Sequence, residues 1–232
     1  MSSAVLCLSS GLDSAVAGRL ALEAETRIPL ALTFDYGQQA APREIATAAR
    51  YAATFGIPHR VIALPWIAEL AAGGALLGKR ELPSPKQKDL DNQDACEKTA
   101  RAVWVPNRNG VMLEIAAGFA EDMGIDGVLV GFNREEAATF PDNSREYLEA
   151  VSRALSFSTA TQVKVVSPTA HLDKREIVAE GKRLDFDFSL TWSCYRSGEK
   201  MCGRCESCQR AKRAFKANEM EIDALFDDPI LR

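Results

Sequence analysis

Residues Ala4–Gly18 read "AVLCLSSGLDSAVAG". A short apolar run, Ala4–Leu8, has the character of a buried strand. It ends in two serines and a glycine, and Asp13-Ser14 then opens an alanine-rich helical pattern, Asp13–Glu25. A loop between a first parallel strand and its helix lies at the carboxyl end of the sheet, where such folds bind ligands. Small residues let the backbone approach an anion, and a helix start offers unpaired N–H groups with the positive end of the dipole. Ser9, Ser10 and Ser14 add hydroxyl donors, and Asp13 either faces Mg²⁺ or caps the helix. No Gly-Lys-Ser/Thr follows and the Gly-x-Gly-x-x-Gly spacing is missing, so neither a Walker A loop nor a dinucleotide fingerprint is present. The alternative is an ordinary Ser/Gly turn.

Outward from this loop, strand and helix signals alternate. Ile28–Phe34, "IPLALTF", is a second strand, broken at Asp35-Tyr36-Gly37. Arg43–Phe55 carries Ile45, Ala49, Ala52 and Phe55 at helical spacing, and His59–Leu64 is a third strand. Met112, Ile115, Phe119 and Met123 give Gly110–Met123 an apolar face, and Gly127–Phe132 is a fourth strand. Tyr147, Val151 and Leu155 mark a helix, Val163–Val166 a strand, and Lys174–Leu184 a helix begun near Asp173. Such alternation implies an α/β fold with a doubly wound, mostly parallel sheet and right-handed crossovers. Lys79–Arg101 has two prolines, many charges and little periodicity, and reads as a loop or lid, either an exposed insertion or a functional cover.

The chain has 232 residues, 47% of them hydrophobic, enough for a sizeable core. A net charge of −4 argues against a protein that grips nucleic acid through phosphates, and Lys212, Arg213 and Lys216 read as a solvated helix face. With neither a signal-peptide pattern nor a bilayer-length apolar run, a cytoplasmic protein is expected. His59 and His171 read as structural or surface residues, and Cys7 and Cys96 as inert.

The other four of the six cysteines, Cys194, Cys202, Cys205 and Cys208, follow the spacing Cys-x7-Cys-x2-Cys-x2-Cys. In a reducing compartment such clustering means metal ligation rather than disulfides. Four thiolates suit tetrahedral zinc, and a full protein shell makes the role structural. Cys-x2-Cys-x2-Cys also occurs in iron–sulfur ligation, which stays open on spacing alone. Gly198 and Gly203 allow tight turns around the ion. The division expected is a nucleotide domain over 1–188, with 79–103 a lid or insertion, and a metal-binding segment over 189–232.

The phosphate loop, "FDYGQ" at Phe34–Gln38, "VPNRN" at Val105–Asn109, "FPDN" at Phe140–Asn143 and "SCY…CGRCESC" stand in the order found in one family. Along nearly its whole length the chain resembles the 7-cyano-7-deazaguanine synthases, the QueC family of the ATP pyrophosphatases. The resemblance implies ATP and Mg²⁺ bound along Leu8, Ser9, Ser10, Gly11, Leu12, Asp13, Ser14, Ala15, Val16, Ala17 and Gly18, with Asp35 nearby. Asp35 otherwise serves only its turn. It implies catalytic roles for Asp13, Ser14, Arg108 and Lys174, the last stabilising phosphate charge; otherwise Lys174 is an exposed residue in a helix's first turn. Arg108, Asn109, Glu136 and Asp142 would hold the substrate, unless Asn109 merely caps the helix near Gly110. Cys194, Cys202, Cys205 and Cys208 would hold one structural zinc.

The implied reaction converts 7-carboxy-7-deazaguanine, ammonia and ATP into the nitrile through an adenylated carboxylate and an amide, in a homodimer using free ammonium. Ser10 stands where the family has its first glycine, a strained place for serine if φ is positive. Within Gly131–Asn143, "GFNREEAATFPDN", Glu136 replaces an aspartate and Asn143 a cysteine. These departures keep three other readings open: a relative that stops at the amide or transfers to another amine, a tRNA-modifying enzyme, and a non-enzymatic binding module.

Overall fold

Strand β1 (Ser3–Cys7) lies in the middle of a parallel sheet. It pairs with β2 (Arg27–Asp35) on one side and β4 (Gly127–Leu129) on the other. β3 (His59–Ala63) extends the sheet beyond β2, and β5 (Lys164–Val166) extends it beyond β4, giving the order β3-β2-β1-β4-β5. The computed structural model describes residues 1–70, 74–78 and 80–228. Among these, the helices are α1 (Leu12–Glu23), α2 (Ala41–Thr54), the short α3 (Ile67–Leu70), α4 (Gln93–Val103) and α5 (Arg108–Asp122), followed by the short α6 (Arg134–Ala137), α7 (Arg145–Ser158), α8 (Lys174–Arg183) and α9 (Glu206–Ala217). The doubly wound parallel architecture read from the alternation is the one observed. No helix among the described residues is long and apolar enough to cross a membrane.

Both faces of β1 are covered, which is why it reads as an unbroken apolar run. Ala4 and Leu6 belong to one core with residues of α1, α2, α8 and α9, whereas Val5 joins a second core with residues of α5 and α7. The first core runs into the cysteine segment, because Cys194, Cys205, Cys208 and Phe215 are buried in the same cluster as Ala4 and Leu6. An aromatic chain carries that continuity. Tyr51 meets Phe186 at 6.1 Å, Phe186 meets Phe188 edge-on at 5.3 Å, and Phe188 meets Phe215 of α9 edge-on at 5.0 Å.

Three expectations change. The segment expected as a loop from Lys79 to Arg101 contains a helix: Asn92 caps α4 by accepting from Ala95 N at 2.9 Å. Only Ala100 and Val103 of α4 are buried, so its apolar stripe is too thin to show as periodicity. Lys79 itself lies outside the described residues. The fourth strand stops at Leu129 rather than Phe132; Val130 N still bonds Val166 O at 2.9 Å, and the chain then turns away. Lys212 is not on a solvated face. It is 2% exposed and donates to Gly203 O at 3.0 Å and Asp228 O at 2.7 Å.

Because Phe215 closes the aromatic chain, Phe215→Ala is expected to lower stability by about 3–5 kcal/mol. Urea unfolding should show one shifted transition for the whole chain. A separate early transition confined to the cysteine segment would contradict a shared core.

Candidate active site

The strand order reverses between β1 and β4, and the segments leaving them part there to open a crevice at the carboxyl ends. Leu8–Gly11 leaves β1 and Val130–Asn133 leaves β4. They pass so closely at Gly131 that a Cβ there would overlap the backbone of Asp13 and Ser14. Ser10 has φ +59°, the left-handed conformation that favours glycine. Its carbonyl accepts from Trp192 N at 2.8 Å, and its hydroxyl is buried with no partner. Gly11 caps α1 without a side-chain acceptor, which leaves first-turn N–H groups available for an anion. Ser9 Oγ and Ser14 Oγ are 3.0 Å apart at the same mouth.

Behind the loop stands Lys174, the first residue of α8. A reciprocal cap fixes that helix start: Asp173 accepts from Arg175 N and Glu176 N at 2.9 and 3.0 Å, and Glu176 accepts from Asp173 N at 2.7 Å. Lys174 is 3% exposed, which excludes the exposed-residue reading. Its Nζ donates to Asp13 Oδ2 at 3.0 Å and Glu136 Oε1 at 2.8 Å. Burial works against the ammonium, but the two carboxylates outweigh it and hold Lys174 protonated. Burial pushes Asp13 up to about 6 although Lys174 opposes it. Glu136 is held below the usual range: burial raises it, and Lys174 more than compensates. Asp13 does not cap α1; its Oδ1 is buried without a partner.

The far wall is built by α5 and the segment before α7. Arg108 donates to Tyr36 Oη at 3.0 Å and lies over that ring at 5.5 Å. Asn109 sits inside α5 rather than capping it, and donates to Asp142 Oδ2 at 2.8 Å. Asn143 donates to Asp142 Oδ1 at 3.1 Å. Trp104 and Phe140 present nearly parallel rings, 4° apart in plane with centroids 6.2 Å apart.

These groups enclose one cavity of about 280 Å³. Of the residues singled out from sequence, Cys7, Ser9, Gly11, Leu12, Asp13, Ser14, Arg108, Asn109, Glu136, Asp142, Lys174 and Cys194 line it. Leu8, Ser10, Ala15, Val16, Ala17 and Gly18 are buried behind that wall. Asp35 is not in the lining; it accepts from Gly37 N at 3.0 Å as a turn residue does. Sequence reading passed over Tyr36, Gln38, Glu44, Trp104, Glu135 and Arg210, which also line the cavity. "FDYGQ" contained the signal for the first two, at the carboxyl end of β2. Arg210 carried none, because it reaches Glu135 at 2.6 Å from a distant helix.

Cys194 Sγ, Cys202 Sγ, Cys205 Sγ and Cys208 Sγ all lie within 4.8 Å of one another, an arrangement that can hold a metal ion. Tetrahedral Zn–S bonds of about 2.3 Å place sulfurs about 3.8 Å apart. Cys202 Sγ and Cys208 Sγ, 3.9 Å apart, fit that spacing. Gly203 makes its turn with φ +69°, while Gly198 does not use a positive φ. His59 is structural, 2.8 Å from Thr33 Oγ1.

A serine-lined loop thus lies at the switch point of a parallel α/β sheet, backed by a buried lysine, and the family to which the chain is matched makes it an enzyme of the ATP-dependent ligase type. The chain belongs to the QueC family, whose model, "Queuosine biosynthesis protein QueC", matches residues 3–219. Its relatives include a "7-cyano-7-deazaguanine synthase" of Desulforamulus reducens, 53% identical over 96% of this chain and 97% of that protein. Proteins of the same name from Bdellovibrio bacteriovorus and Methanosarcina mazei are each 48% identical. The former match covers 97% of both chains, and the latter 92% of this chain and 93% of its relative.

Ser10 combines left-handed strain with a buried unpaired hydroxyl. Ser10→Gly is therefore expected to stabilise the protein by about 1–3 kcal/mol in urea unfolding. A loss of stability would mean that the hydroxyl makes a native contact.

Proposed function

We propose that the chain converts 7-carboxy-7-deazaguanine, ammonia and ATP into 7-cyano-7-deazaguanine. One ATP adenylates the carboxylate, releasing pyrophosphate, and ammonia displaces AMP to give the amide. A second ATP activates the amide oxygen, whose departure with AMP leaves the nitrile. Family membership and the buried Lys174 behind a serine-lined loop support this reading. The reaction needs the acid in line with the α-phosphorus and charge stabilised on departing pyrophosphate more than covalent help.

In this reading the Leu8–Gly18 segment receives the triphosphate, with Ser9, Ser14 and the first turn of α1 donating to it. Lys174 neutralises the leaving pyrophosphate. Asp13, one oxygen already on Lys174, turns its unpartnered Oδ1 to the magnesium that arrives with ATP. Arg108 pairs with the substrate carboxylate or with phosphate. A deazaguanine offers N1–H and N2–H₂ as adjacent donors, and Asp142 accepts them, since Glu136 is committed to Lys174. Asn109 and Asn143 orient Asp142. The four cysteines hold a structural zinc. Residues 1–188 carry the reaction, 189–232 the metal, and 79–103 cover the cavity as a lid. The chain acts in the cytoplasm as a homodimer on small molecules, without nucleic acid.

The test is incubation with the acid, ATP, Mg²⁺ and ¹⁵N-ammonium. The expected products are labelled nitrile, AMP and pyrophosphate by mass spectrometry. An amide end point would favour the altered Glu135–Ser144 stretch as a change of reaction, and nucleotide binding without any product would overturn the proposal.

Metal analysis should find one zinc per chain in a colourless protein. Removing it, or replacing Cys202 by serine, should destabilise the fold in thermal unfolding, because the cysteines share the first core. A visible chromophore would contradict zinc.

A further inference from the structure

Glu44 stands in the first turn of α2 and lines the same cavity as Asp13, Arg108 and Lys174. Its Oε2 accepts from Gln38 Nε2 at 2.7 Å. Gln38 is itself fixed: its Nε2 also donates to Phe34 O at 3.0 Å, and its Oε1 accepts from Tyr36 N at 2.9 Å. The end of β2 is thus a rigid holder for one carboxylate oxygen, while no described residue donates to the other, Oε1.

Every other carboxylate in the lining is ion-paired or bonded at both oxygens, although Asp13 keeps one oxygen without a partner. Asp13 and Glu136 are on Lys174, Glu135 and Glu206 on Arg210, and Asp142 has an amide donor at each oxygen. Glu44 makes no ion pair among the described residues.

The amide-forming step has an unmet need. Ammonium has no lone pair, so a base must take a proton before nitrogen can attack. We propose that Glu44 binds the ammonium ion at this cavity wall and is its general base, an assignment that rests on the reaction proposed above. One N–H proton passes to Glu44 Oε1. The freed ammonia adds to the acyl-adenylate carbonyl, the C–N bond forms, and the C–O bond to AMP breaks with its electron pair leaving on AMP. The surplus proton on nitrogen goes to solvent, and Glu44 then returns its own to solvent.

The acidity of Glu44 suits the task. Burial pushes its carboxyl up to about 7; Asp35 of β2 pushes the same way, while Gln38 and Arg108 of α5 oppose it. Tyr36 stays neutral, because burial raises it above its ordinary value. A base of that strength is partly ionised at neutral pH and effective there. Below about 7 Glu44 carries its own proton, so kcat/KM for ammonium should fall as pH drops.

The experiment compares the unsubstituted full-length protein with Glu44→Gln and Glu44→Asp. Acid-dependent exchange of pyrophosphate into ATP reports adenylation without ammonium; amide and nitrile formation reports the step that uses it. Glu44→Gln is expected to keep exchange within a few-fold while kcat/KM for ammonium falls about 100-fold at neutral pH. Its break near 7 should vanish, leaving a rate that simply rises with free ammonia through and beyond that pH. Glu44→Asp should recover part of the rate together with a break of its own. An unchanged kcat/KM for ammonium, or exchange and amide formation falling together, would overturn the assignment while leaving the parent reaction standing. Absence of exchange in the unsubstituted protein would remove the parent reaction and this assignment with it.

Discussion

The buried ammonium of Lys174, held between Asp13 and Glu136, is the interaction on which the site depends. It joins the starts of α1 and α8 to α6, three elements that approach from different parts of the chain. A desolvated charge is tolerated only when closely paired, and removal of one partner leaves the other exposed to the full penalty. Two carboxylates and one lysine leave the triad rich in negative charge, which is why burial lifts Asp13 toward about 6 while Lys174 stays protonated. In the reaction proposed, a magnesium-bound polyphosphate would answer both sides at once, its cation meeting Asp13 and its oxygens Lys174. The two carboxylates hold the lysine beside the loop, from where, in the reaction proposed, it turns to the departing pyrophosphate.

The cysteine segment is part of the same construction. Trp192 N bonds the strained Ser10 carbonyl, and Ser193 Oγ accepts from Leu12 N at 3.4 Å, so the chain just before Cys194 buttresses the loop after β1. From the other side of the cysteine cluster, Arg210 of α9 bridges Glu206 and Glu135, next to the Glu136 that grips Lys174. Arg210 also donates to Cys96 Sγ at 3.3 Å, which ties α4 to this wall. The four thiols therefore anchor a segment that shapes the cavity and packs in its core.

Much of this was legible beforehand because the physics is local. The apolar run Ala4–Leu8 ending in small residues marks a buried parallel strand, and four cysteines at close spacing mark a cluster able to hold a metal ion. The buried state of Lys174 was not legible: "LDKREIV" shows a capped helix start, and only the fold brings Asp13 and Glu136 to it from 161 and 38 residues away. Glu44 was hidden for a similar reason, since a glutamate in a helix's first turn is ordinary and only the fold sets it against Gln38 in the cavity wall. Lys212 looked solvated within a charged run, yet it satisfies two carbonyls inside the turn of Gly203. The helix over Gln93–Val103 escaped notice because its buried side is only an alanine and a valine.

In the reaction proposed, the opening loop and Lys174 together receive a triphosphate. A crystal structure with magnesium and a non-hydrolysable ATP analogue decides this, with phosphate oxygens expected within hydrogen-bond distance of Ser9 Oγ or Ser14 Oγ and of Lys174 Nζ, and the metal on Asp13. A nucleotide bound elsewhere, with Lys174 still closed onto Asp13 and Glu136 and the loop vacant, would contradict it.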